Sequence, residues 1–125
     1  MDIKKQIEYW ISTADNDLDT AELLLNNNKI LFGLFLCHLC IEKAIKAHVV
    51  RCTGNVPPKS HNLSFLLEKT DLELDDSQFT LCDTLMYYHL EGRYPEHYPK
   101  TPALEKSIEL LNQSKILFQW LKAKL

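Results

Sequence analysis

The sequence holds no surplus of basic charge, no long apolar run, no internal repeat and no low-complexity stretch. Fourteen Lys and Arg stand against 17 Asp and Glu, a formal net charge of −3. Such a balance excludes a general polyanion binder, so any nucleotide or nucleic-acid contact must come from a local site. The longest apolar run, Ile30 to Ile41, is interrupted by Gly33 and His38 and bounded by Lys29 and Glu42. It is too short to span a bilayer. The opening MDIKKQIEYWISTADND has no apolar core after its lysines, which a secretory signal requires. The chain is therefore expected to be cytoplasmic and unattached to membrane. Its four Cys are expected to be free thiols rather than a disulfide framework. No segment reads convincingly as a strand.

What is there is helical. The 125 residues suit one domain, 1–125, and 46% hydrophobic content can build a core without metals or disulfides. Trp10, Ala14, Leu18, Ala21 and Leu25 recur at helical steps and predict a helix from about Ile3 to Leu25, ended by Asn26-Asn27-Asn28. A second helix, Lys29 to Arg51, is apolar nearly all round, which marks a central helix or one buried in a subunit interface. TGNVPPKS breaks it. A short helix follows with Leu63, Leu66 and Leu67 inward and Ser60 as cap, then the acidic linker TDLELDDS. The fourth helix, Ser77 to Leu90, is predicted to bury Phe79, Cys82, Leu85 and Met86. Thr101-Pro102 signals the start of the last helix, with Leu104, Ile108, Leu111, Phe118 and Leu121 inward. Long helices with short connections predict an all-α, antiparallel up-and-down bundle of four or five helices.

Three places carry chemistry. On the second helix His38, Glu42 and Lys46 are spaced by four and share a face. They read either as a surface Glu–Lys pair beside a core His, or as the polar lining of a cleft. Cys37 and Cys40 form a C-x-x-C in mid-helix. Cys52, Cys82, His61 and His89 can complete a zinc set on paper, but small buried residues are the better account. No metal and no cofactor are expected. His61 is either a turn residue or a polar group lining the same cleft as Arg93. The third place is HLEGRYPEHYPK, His89 to Lys100. Pro95 and Pro99 push Tyr94 and Tyr98 toward extended shapes and hold Arg93 on a stiffened segment past a helix end. A preordered Arg loses less entropy on gripping phosphate or carboxylate. Tyr94 and its neighbours offer faces for a base. His97, four residues on, has the chemistry of a general acid or base.

YWISTADNDLDTAELLL, FLCHLCIEKAIKAHVV, SHNLSFLL and GRYP, in that order, resemble the HEPN family (higher eukaryotes and prokaryotes nucleotide-binding) over nearly the whole chain. The resemblance implies a helical bundle, often a two-fold homodimer, with a polar cleft at or near the dimer interface. It implies a small nucleotidyltransferase as partner in a toxin–antitoxin pair. Many members are metal-independent ribonucleases in which an Arg and a His act on a ribose 2′-hydroxyl and its phosphate. Here only Tyr94, Pro95 and Glu96 separate Arg93 from His97, fewer than that motif has. Tyr94 stands where a polar residue is usual, and His38 where relatives carry Gln. The RYP form resembles the nucleotide-binding or antitoxin branch.

Three readings follow. In the first, a homodimer grips a nucleotide or RNA phosphate through Arg93, with Tyr94, His38, His61, Glu42, Lys43 and Lys46 around it. In the second, a ribonuclease uses Arg93 with His97 or His61. In the third, the bundle is an interaction scaffold without a small ligand.

Overall fold

A computed structural model describes all residues, 1–125. It contains five α-helices and no strand: α1 (Ile3–Asn26), α2 (Ile30–Thr53), α3 (Leu63–Leu67), α4 (Asp76–Tyr87) and α5 (Leu104–Ala123). A single 3-10 turn covers Pro95–His97.

The α1–α2 hairpin is set by local chemistry. Asp2 caps α1 by accepting from the Lys5 amide. At the other end Asn28 takes the left-handed conformation, φ +60°. The Lys29 amide reaches Leu24 O and the Asn28 amide reaches Leu25 O. That is a Schellman closure with Asn in place of the usual Gly. The tight link folds α2 back along α1, and Ala14, Leu18, Ala21 and Leu25 are buried against it. Gly33 lets the two helices approach closely: a Cβ there would stand 2.8 Å from Leu25 Cγ.

All four other helices pack on α2. This accounts for its apolar circumference, and 14 of its residues are buried within the one chain. The composition of α2 therefore does not by itself require a second subunit. Cys37 neighbours Ser114, and His48 Nε2 reaches Leu121 O, so α2 and α5 run the same way. Two long helices separated by one return pass must do so in an up-and-down bundle.

Some local expectations are corrected. Asn62, not Ser60, caps α3, accepting from the Phe65 amide at 3.0 Å. Asp75 and Gln78 form a capping box that starts α4 one residue earlier than expected, at Asp76. That helix also ends early, at Tyr87. Tyr88 and Leu90 are both buried, and a continued helix would place residues two apart on nearly opposite faces. A turn closed by Arg93 N to Leu90 O, with Gly92 at φ +80°, follows instead. Phe79 lies well off the Leu81–Leu85 stripe and is 44% exposed, and Met86 is only half-buried. The last helix begins at Leu104, itself exposed, behind Ala103, which has no side-chain cap. Thr101-Pro102 lies in the irregular segment before it. No helix is long and apolar enough to cross a membrane.

Candidate functional site

The helical spacing of His38, Glu42 and Lys46 puts all three on one face of α2, and the rest of the chain closes over that face. Their exposures are 0%, 3% and 6%. The Glu–Lys pair is real but buried, not at the surface. Glu42 Oε2 accepts from Lys46 Nζ at 3.0 Å, and Glu42 Oε1 accepts from His61 Nδ1 at 2.9 Å. The ammonium also lies 5.4 Å from the centre of the Trp10 ring. A buried carboxylate is tolerable only with such partners on both oxygens.

His38 is held differently. Its Nε2–H donates to the His61 carbonyl at 3.0 Å, which leaves Nδ1 as an acceptor 3.8 Å from Glu42 Oε1 and without a hydrogen-bond partner. Burial pushes its pKa down to about 4, against the pull of Glu42. At neutral pH the ring is uncharged, so the 3.8 Å contact is not an ion pair.

His61 therefore serves α2 twice, by its carbonyl and by its ring. The Asn62 cap of α3 fixes the backbone just after it. Its other face meets His89, the two rings stacked at 4.5 Å between centroids with planes 30° apart. His89 also meets His38 edge-on at 5.0 Å. Burial, then the nearby His61, lowers the pKa of His89, and its Nε2 is buried without a partner. Glu91 Oε2 stands 3.3 Å from His61 Nε2. His61, His89 and Glu91 are the side chains whose donor atoms gather within reach of one metal ion.

Arg93 adjoins this cluster through the backbone. Its Nη1 donates to Tyr87 O at 3.0 Å and His89 O at 3.3 Å, and its Nη2 donates to His97 O. The guanidinium ties the frayed end of α4 to the 3-10 turn, and three of its five N–H donors are committed. Tyr94 and Tyr98 are extended, ψ 147° in both, as the following prolines require. Arg93 is thus fixed as the sequence anticipated, though by carbonyls as much as by proline.

The remaining predicted residues lie outside the cluster. Lys43 pairs with Asp17 of α1 at 2.7 Å. Tyr94 is 70% exposed. The His97 ring is exposed, and only its carbonyl meets Arg93. The sequence reading named His89 only as a paper ligand in a cysteine-based zinc set and gave Glu91 no role. The crowding of HLEGRYP was the one signal available for them. Cys37 and Cys40 are buried, and burial raises both thiol pKa values, Cys37 to about 12. They behave as small apolar residues. A groove of about 490 Å³ lies between α4 and α5 along Thr80, Thr84, Leu110 and Leu117, away from all these groups.

The HEPN domain profile matches residues 7–124. The chain belongs to the HEPN domain family. This HEPN domain is similar in fold to TT1696 from Thermus thermophilus, at a TM-score of 0.80 and 22% identity, over 96% of this chain and 98% of that one. It is also similar to ST0689, an archaeal HEPN homologue, at a TM-score of 0.72 and 20% identity, over 94% and 96% of the two chains. No curated protein matches it in sequence. Identities this low speak for the fold, so the site of this HEPN domain rests on its own residues.

Proposed function

We propose that this HEPN domain binds the phosphate of a nucleotide or nucleic acid at Arg93, beside the His61–His89 stack, and acts as a homodimer with a small nucleotidyltransferase. The observation that carries the reading is the anchoring of Arg93. Three backbone carbonyls hold the guanidinium in place and two N–H donors remain for a ligand. The neighbouring cations cannot substitute for it: Lys46 is committed to Glu42 and Lys43 to Asp17. The homodimer and the partner enzyme rest on the family's habits. Light scattering at micromolar protein checks the first and co-purification the second.

The test is a thermal-shift and calorimetric screen with nucleotides. A ligand at 100 times its dissociation constant adds about 2.7 kcal/mol of stability. Arg93→Ala is expected to abolish that gain. If no nucleotide stabilises the protein and Arg93→Ala behaves as wild type, the bundle is a scaffold.

One observation favours a ribonuclease as the second reading, with His61 rather than His97 in the proton-transfer role. A buried carboxylate orients the His61 ring through Nδ1 and leaves Nε2 outside that bond on a half-buried side chain. That is how a general acid or base is held. RNA cleavage in EDTA that yields cyclic phosphate ends, persists in His97→Ala and disappears in His61→Ala would establish it.

A further inference from the structure

The contact between His61 and Glu91 is unbalanced. Because His61 Nδ1–H is given to Glu42, its Nε2 carries a lone pair in the neutral ring. That lone pair faces Glu91 Oε2 at 3.3 Å. Two acceptors so close repel one another unless a positive charge lies between or beside them. The stacked ring of His89 brings a further nitrogen to the same place, and the donor atoms of His61, His89 and Glu91 all lie within 4.8 Å of one another.

We propose that His61, His89 and Glu91 bind one divalent transition-metal ion of the zinc class. A tetrahedral Zn²⁺ with bonds of about 2.0–2.2 Å places neighbouring ligand atoms roughly 3.4 Å apart. The His61–Glu91 separation of 3.3 Å already matches that spacing. The His89 nitrogen, within 4.8 Å of both, completes the set on side-chain rearrangement, and one position stays open for water or a ligand oxygen. Two imidazoles and a carboxylate select zinc, cobalt or nickel over Mg²⁺ and Ca²⁺, which favour oxygen.

A supporting shell is already built. Glu42 accepts from the far nitrogen of His61, the carboxylate–histidine arrangement that fixes a ligand's tautomer and raises its basicity. Glu42 is held in turn by Lys46. The nearby positive charge of Arg93 is turned onto the carbonyls of Tyr87, His89 and His97. The site stands apart from the phosphate reading, since the ion binds with or without a nucleotide. It departs from the expectation of no metal, which considered cysteine-based sets.

The test uses the full chain, stripped with EDTA and dialysed, titrated with Zn²⁺ alone by calorimetry and with Co²⁺ by visible absorption. One equivalent per chain with micromolar or tighter affinity is expected. Glu91 is 63% exposed, so Glu91→Gln folds normally, which circular dichroism verifies. It should weaken Zn²⁺ binding at least tenfold, and His61→Ala should abolish the cobalt spectrum. Cys52→Ser should leave both signals unchanged. Absence of saturable binding overturns the proposal. Unchanged affinity in Glu91→Gln, or binding that depends on Cys52, overturns it equally.

Discussion

His38 and His48 lie ten residues apart on α2, both with no exposed surface and both bonded through Nε2 to a distant backbone carbonyl. Their other nitrogens differ. His48 Nδ1 accepts from Arg51 Nη2 at 3.1 Å, and Arg51 is held in turn by Asp71 at 2.5 Å. Every valence of that imidazole is used, and it staples α2 to the end of α5. His38 Nδ1 has no partner and looks toward Glu42 and His89. Spare valence, rather than burial, separates a structural histidine from one that belongs to a site.

The largest effect is expected where the His38 side depends on compensated charge. Lys46→Met leaves Glu42 buried with only His61 as partner and should cost about 3–5 kcal/mol in urea unfolding. A loss under about 1 kcal/mol would mean that water reaches Glu42.

Acid should separate the two histidines next. Burial depresses the pKa of His38 to about 4 and lowers that of His48. The unfolded chain, with ordinary imidazoles near about pH 6.5, therefore binds more protons than the folded one in this range. The stabilisation is whole above about pH 6.5 and lost as pH falls toward about 4, on the order of 3 kcal/mol for His38. Unfolding midpoints measured in EDTA across this window should fall with pH, and His38→Leu should flatten the decline.

Deletion at mildly alkaline pH should reverse the ranking. His48→Leu orphans the Leu121 carbonyl and the Arg51 donor together and should cost about 1–3 kcal/mol. His38→Leu removes one bond and an unsatisfied nitrogen and should cost less. Equal losses would erase the distinction between staple and site. The smallest effect belongs to Asp71, which touches only the outer end of the His48 chain. Asp71→Asn should leave the unfolding midpoint within error, as exposed ion pairs contribute little.

Much of this was legible beforehand. Periodicity placed the α1 stripe and the Leu63–Leu66–Leu67 face, and the spacing by four put His38, Glu42 and Lys46 on one line. Asn26–Asn28 and Gly54 marked helix ends because caps act within a few residues. The α4 boundary failed because Tyr88 and Leu90 are both drawn inward, which is decided by what lies opposite them. The polar line on α2 read as a surface pair or a cleft lining because its cover comes from His61, just before α3, and the segment after α4. Arg93 could be seen as stiffened, but not as already bonded to three carbonyls.

The amino-acid sequence alone determined the helices, their order and a fixed corner at Arg93, because hydrophobic period, proline, glycine and capping groups act over one or two turns. Only the tertiary structure decided that Glu42 is shared by Lys46 and His61, that His89 stacks on His61, and that Glu91 faces His61 Nε2. Those meetings join side chains from three separated segments, and whether each polar valence is spent or spare depends on the packed neighbours that exclude water from it.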